Sequence, residues 1–448
     1  MNNQIIIYLH GDNTRPSRVN IEDLINHLND SVYIFQDDTQ RPDFKRVEEL
    51  LTLEGQHKIY YHYDGETQRP VKDSYGILTI RMLPTFDEAK RLIMILFNSN
   101  QTDDPPRFIS FLDYTLNENN EIDSIEENVS FFTPALPYQG GVAFNPKKIN
   151  AISCYSWHTN NAEIAKGSPI IDLFNTELER IDQFTFENAE TLQALNLRYS
   201  NSGRYVGVGL SGSLEGQPTT FAVFEVSNNK LELISTINAG GSGRKCGFTS
   251  DDEYVAIAHN PAILWDGDTF LGFDGPGLTI CKFNNGKLRI VSQYEFEGDG
   301  TCNTAEFSPD DSLLIVTSFT NNQIYLFSHD VGNIVLLDQF QFEDYPWEAT
   351  WHPSGKFIAV SQRGNPRLRI FSVENDTLTQ TDSKTLNGRS LCVTFSEDGK
   401  NLVVATRSTS DRVFAFTFND VDGILSTEST ASYMGPAGSV HTTSIDLI

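Results

Sequence analysis

Most of this chain is written in short alternating and continuous apolar runs separated by polar turns, and residues 302 to 341 show the pattern most plainly. Cys302 to Phe307 reads as a short strand ending on an aromatic residue. Ser308-Pro309-Asp310-Asp311 then supplies a turn, since proline fixes φ and aspartate side chains bond nearby backbone. Leu313 to Ser318 is a near-continuous apolar run, as expected of a strand covered on both faces. Asn321-Asn322 turns the chain, Ile324, Leu326 and Ser328 alternate with Tyr325 and Phe327, and a second turn at Gly332-Asn333 leads into Ile334 to Phe340. The unit is therefore four strands long.

It recurs. Clear copies begin at Phe307, at Trp351 (His352-Pro353-Ser354-Gly355) and at Phe395 (Ser396-Glu397-Asp398-Gly399); looser ones begin at Phe144, Tyr199 and Phe248, with a doubtful seventh at Phe86. From Phe144 to Phe395 these anchors stand 55, 49, 59, 44 and 44 residues apart, which suits a four-stranded propeller blade. Neither face of such a sheet tolerates water, so the units must stack face to face in a ring, leaving only short protected edges. The expected class is mainly β: a seven-bladed β-propeller of four-stranded antiparallel blades, with six blades as the alternative, preceded by a small N-terminal α/β module.

The repeats resemble those of β-propellers of the WD-repeat-like and lactonase-like (YVTN-type) groups, from about residue 107 or earlier to the C-terminus. Third strands ending in Phe224-Glu225, Phe327-Ser328 and Phe371-Ser372 depart from true WD repeats, where a Trp-Asp pair is expected; the one such pair, Trp265-Asp266, reads as loop. Repeats similar to Ala256-Ile257-Ala258-His259-Asn260 also occur in tail-associated proteins of bacteriophages. The lactonase resemblance implies His, Glu and Arg side chains around one channel mouth, and by position the candidates are His158, Arg244, Glu306, Glu348, Arg363 and Arg389. None matches a family catalytic motif, and Arg and Glu near inner-strand ends read first as ion pairs between blades.

Residues 1 to about 74 contain no anchor. Ile5 to Leu9, Val32 to Phe35 and Ile59 to Tyr63 read as strands; Asn20 caps a short helical pattern through Leu28, and Phe44 to Leu51 is a second helical pattern. The module is expected to span 1–106 and the propeller 107–448. Residues 75 to 106 are ambiguous, because Leu92 to Leu96 reads either as the second strand of blade one or as helix. Pro84, the Thr85-x-x-Glu88 capping box and the spacing of Phe86, Ala89, Leu92, Ile93 and Leu96 favour helix. Phe108 to Tyr114 and Ile122 to Phe131 then serve as outer strands, and residues 439–448 return to supply an inner one and close the ring.

Lysine and arginine total 33 against 60 acidic residues, a net charge of −27 that argues against a phosphate-backbone partner. The start lacks a secretory signal pattern, and no apolar run approaches the ~20 residues that cross a bilayer. Synthesis in the cytoplasm without membrane insertion is expected. Cys154, Cys246, Cys281, Cys302 and Cys392 are scattered and odd in number, and read as buried reduced thiols.

Gly207-Val208-Gly209-Leu210-Ser211-Gly212 matches a dinucleotide fingerprint literally but has no helix after it, and Gly209-Leu210-Ser211-Gly212-Ser213 is no nucleophile elbow. Acidic turns such as Asp420-Val421-Asp422-Gly423 fail the offsets of a calcium loop and read as hairpin turns. The histidines show no metal spacing, so neither metal nor cofactor is expected. The insertion from Asn260 to Gly277 is the best recognition loop, making Trp265, Phe270, Phe273 and the adjacent His259 the candidate ligand or partner contacts. The leading expectation is a non-enzymatic propeller serving as a structural or protein-interaction platform within a larger assembly, in its most concrete form a phage particle component. The alternatives are a lactonase-like hydrolase acting at the channel mouth and a glycan- or small-ligand-binding propeller.

Overall fold

A computed structural model describes residues 3–9, 58–59, 78–84 and 86, and residues 91–448 apart from 99–107, 133–136, 158–166, 187–191, 215–216, 228, 267–268, 285, 409 and 436–440. The chain divides into two compact units, Met1–Glu88 and Ala89–Ile448. In the first, Leu78–Pro84 is the central strand of an antiparallel sheet, flanked by Asn3–Leu9 and Lys58–Ile59. The helical patterns at 20–28 and 44–51 and the strand at 32–35 lie outside the described residues.

The second unit is a seven-bladed propeller of antiparallel sheets, and no helix occurs among its described residues. Blade five repeats the unit legible in the sequence: Cys302–Phe307, Leu313–Ser318, Gln323–Asp330 and Asn333–Gln341, paired in chain order. Blades two, three, four and six have the same four-stranded order, with inner strands Pro137–Phe144, Gln193–Tyr199, Gly243–Phe248 and Pro346–Trp351. In blade seven, after inner strand Arg389–Phe395, both Ile424–Leu425 and Ala431–Tyr433 pair with Val413–Asn419.

Blade one closes the ring. Its inner strand is the C-terminal His441–Leu447, paired with Leu92–Asn98, and Phe108–Leu116 and Ile122–Phe132 complete it. The helix expected at 85–96 is therefore a strand, and the propeller begins well before residue 107. The reason is visible in burial: Leu92, Ile93, Met94, Ile95 and Leu96 are all fully buried, and a helix at the surface must keep one polar face. Leu447 pairs with Ile93 as Phe307 pairs with Leu314, so Leu447 is the seventh anchor and Phe86 is not.

The anchor turns share one backbone requirement. Four residues beyond each anchor, Lys148, Gly203, Asp252, Asp311, Gly355 and Gly399 all have φ between 58° and 72°. That left-handed conformation explains the Asp or Gly at the end of five of these six turns. The turns also bond their neighbours around the ring. Asn145 Nδ2 donates to Gly203 O, Asn201 N to Asp252, Ser250 N to Asp311, and Asn401 Nδ2 to Asn120 O.

Candidate functional site

Inner strands surround the axis, and the residues one and three positions before each anchor form two charged layers there. In the first layer Arg198 of blade three meets Glu306 of blade five at 2.7 Å, reaching past blade four, where the equivalent residue is Gly247. A Cβ on Gly247 would lie 2.8 Å from Ala305 O, so the missing side chain is what admits the close approach of blade five. Glu306 also accepts from Thr350 Oγ1 at 3.2 Å. In the second layer Lys245 of blade four pairs with Glu348 of blade six, again skipping one blade. Asp446, on the closing strand, is half-buried and accepts from Phe144 N at 2.8 Å.

Burial by itself would depress the Lys245 ammonium, but the Glu348 charge holds it above the ordinary lysine range; Arg198 is likewise held up by Glu306 and Asp446. Glu306 and Glu348 are therefore engaged in interblade ion pairs that fasten alternate blades.

One step further along each inner strand, the register slips by one residue in all seven blades. The shifts fall between Pro137 and Gly140, Ala194 and Asn196, Gly243 and Cys246, Cys302 and Thr304, Pro346 and Glu348, Ser390 and Cys392, and Thr442 and Ser444. Such bulges bend a strand and re-aim its side chains, and they gather at rims and active sites. The extra residues include Leu195, Asn303, Trp347 and Leu391, with Arg244 in the slipped pair of blade four; they ring the end of the channel where the blade-to-blade connections arrive.

On this same face an arginine-lined cavity of about 410 Å³ opens over blades six and seven, lined by Asp344, Tyr345, Arg363, Gly364, Arg367 and Arg389. The Arg363 guanidinium lies 5.4 Å from the Tyr345 ring centre. Tyr345 N donates to Asp344 Oδ1 at 2.8 Å, orienting the carboxylate. Gly364 is required here, because a Cβ would sit 2.4 Å from Asp344 Cβ. Arg389 is exposed, and partial burial together with Arg363, Arg407 and Arg367 holds its guanidinium below the ordinary range. Among the described residues, no ion pair within 4.0 Å engages Arg363, Arg367, Arg389 or Arg407. In a chain of net charge −27, this gathers several guanidinium groups around one carboxylate, a lining that can accept an anion. Tyr345 and Trp347 both pack on Phe319, at centroid distances of 4.8 and 5.9 Å, joining the cavity to the bulge ring.

The other sequence candidates lie elsewhere. His259 ends the strand Tyr254–His259 and is fully buried. Its Nδ1 lies 2.9 Å from Asn260 O and its Nε2 2.8 Å from Thr279 Oγ1. A carbonyl can only accept, so Nδ1 carries the hydrogen. Burial pushes its pKa down to about 4. Residues 260–277, expected as loop, form a ribbon of Ala262–Asp266 and Thr269–Asp274 in which Trp265 pairs in register with Phe270; Phe273 pairs with Ile263. Beside the ribbon's base a smaller cavity of about 280 Å³ is lined by Gly212, Pro218, Thr219, Gly240, Gly241, Ser242, Asn260 and Pro261. Arg244 Nε is 3.5 Å from Asn260 Oδ1. His158 lies outside the described residues. Of the positional candidates, Arg363 and Arg389 line this cavity; Asp344, Tyr345 and Arg367 were not among them, and the density of arginine between 363 and 389 was a signal for Arg367 alone.

The glycines of the apparent dinucleotide motif have a packing role. A Cβ on Gly209 would stand 2.1 Å from Arg244 O, and one on Gly207 2.5 Å from the Phe221 ring.

A family model for the lactonase seven-bladed β-propeller matches residues 334–442. The chain is similar in fold to a candidate 6-phosphogluconolactonase from Bacteroides fragilis, with a TM-score of 0.61, 14% identity, and coverage of 80% of this chain and 98% of that one. A second candidate 6-phosphogluconolactonase, from Bacteroides uniformis, gives a TM-score of 0.61 at 14% identity over 80% and 100% of the two chains. The periplasmic gluconolactonase of Pseudomonas aeruginosa gives 0.59 at 15% identity over 80% and 99%. No curated protein sequence matches the chain. The fold is thus that of the lactonase-like propellers. These findings overturn the reading as a non-enzymatic platform in a viral particle, since the matched family model and these structural neighbours bear lactonase names.

Proposed function

We propose that this protein is a lactonase-like hydrolase acting on an anionic sugar-acid lactone at the arginine-lined mouth of its propeller. The observation that carries the reading is the cavity of Arg363, Arg367 and Arg389 beside a single oriented carboxylate, Asp344. Guanidinium forks match carboxylate and phosphate oxygens, and here they stand where a ligand reaches them from solvent. The name shared by the structural neighbours supplies the reaction class.

In that reaction a water oxygen bonds to the lactone carbonyl carbon while Asp344 takes its proton. The tetrahedral oxyanion collapses, the bond from that carbon to the ring oxygen breaks, and the ring oxygen takes the electron pair and the proton from Asp344. The product is the open hydroxy acid. The arginines hold the remote anionic group and set the orientation, the kind of positioning that lowers a barrier without new chemistry. The ion pairs of the two layers lie beneath and hold the blades that carry the site.

The test is hydrolysis of D-glucono-1,5-lactone and of its 6-phosphate, followed by proton release with a pH indicator. Turnover well above the uncatalysed rate is expected, with preference for the phosphorylated lactone. Arg389→Ala is expected to raise KM for that substrate by about 10-fold or more, the loss of one charge-assisted contact. Wild-type protein that adds nothing to the buffer rate with either lactone would refute the assignment.

A further inference from the structure

We infer that Asn303 is the hydrogen-bond donor that receives the ligand's carbonyl oxygen at the axial mouth, a rate-determining residue on a blade next to the arginine cavity. This rests on the proposed lactone chemistry for its kinetic part and on geometry for its binding part.

Asn303 is only 8% exposed, and its Nδ2 is buried without a hydrogen-bond partner. An orphaned buried donor is costly, so a packed core normally replaces it. Among the described residues the buried side-chain nitrogens in this condition are Asn303 Nδ2 and Arg367 Nε, and both lie on the face that carries the arginine cavity. Unmet donors on one face mark a place for an oxygen-bearing ligand.

The backbone accounts for the aim of the side chain. Asn303 is the extra residue between the Cys302–Ser318 and Thr304–Thr317 pairs, so it escapes the strand's alternation and is turned out of the ladder. The bulge is held from both sides: Phe319 N donates to Thr301 O at 2.9 Å, and Thr304 N donates to Thr317 Oγ1 at 3.1 Å. The neighbouring bulges present Arg244 on blade four and half-buried Trp347 on blade six. Phe319, whose amide fastens the strand at Thr301 beside Asn303, also packs on Tyr345 of the arginine cavity and on Trp347. A lactone whose anionic group occupies the arginines thus extends its ring toward Asn303, whose amide hydrogen bonds the carbonyl oxygen and strengthens as that oxygen gains charge.

Two readouts separate this inference from the reading beneath it. In protein labelled with nitrogen-15 at asparagine, the Asn303 side-chain signal, assigned by its loss in Asn303→Ala, is expected to shift saturably with D-gluconate and with 6-phosphogluconate. In kinetics, Asn303→Ala is expected to lower kcat by about 100-fold while KM changes less than about threefold, the signature of a contact made in the transition state. Its melting temperature should stay level or rise, because no hydrogen bond is lost, which excludes misfolding as the cause. An unmoved signal with saturating ligand, or a wild-type kcat in the variant, overturns the role of Asn303 and leaves the lactonase reading standing. A saturable shift in a protein that hydrolyses no lactone keeps the binding site and removes the reaction. No shift and no hydrolysis removes both.

Discussion

At the scale of single residues, the fold places several side chains where their chemistry has a measurable consequence. His259 is held neutral by burial, with its pKa pushed from 6.5 to about 4. The unfolded chain binds that proton first as pH falls, so the stabilisation is present above pH 6.5 and drains away between 6.5 and about 4, at most about 3 kcal/mol. Denaturant titrations across this window should show the loss, and His259→Gln should flatten that part of the profile. Gly399 is a second case. Its φ is 72°, and a Cβ would stand 2.1 Å from His352 Nε2, so Gly399→Ala is expected to cost about 2 kcal/mol or more by denaturant melt. The glycine at the end of Ser-Glu-Asp-Gly was legible as turn chemistry; its contact with a histidine one blade away was not, because those residues are 47 positions apart.

At the scale of elements, the charged layers show how strands that do not pair are still fastened to one another. Glu348 is almost fully buried and Lys245 mostly so, and leaving either one alone would strand a charge in the core. Glu348→Leu or Lys245→Met singly is therefore expected to destabilise by about 3–5 kcal/mol, whereas the double substitution should recover most of that loss. A double-mutant cycle in urea measures the coupling directly; additive losses would show that the pair is not coupled. The sequence suggested ion pairs between blades but not the skip of one blade, which follows from Gly247 and Thr304 occupying the intervening positions. The strand of Leu92–Asn98 shows the reverse failure. Its apolar run carried both periods, and only burial on two faces by neighbouring blades made it a strand. Removing residues 441–448 should leave that strand without its inner partner and prevent folding of the propeller, seen as loss of the cooperative transition.

At the scale of the whole molecule, the net charge of −27 and the arginine cluster pull in opposite directions with salt. Screening relieves the self-repulsion of the acidic body, so thermal stability is expected to rise as ionic strength is increased from a low value. The same screening weakens an anion's attraction to Arg363, Arg367 and Arg389, so KM for a phosphorylated lactone is expected to rise over that range. A KM that is flat or falling with salt would remove the arginines from substrate binding. Read by itself, the chain determined its repeat, six of its seven anchors, its turn residues and its ring closure, because these depend on local periodicity and on a count of strands that cannot stand in water. Only the tertiary structure decided which side chains meet at the mouth. The bulge in every inner strand leaves no mark in the order of residues, and Asp344, Arg363 and Arg389 come together only because successive connections arrive on one face.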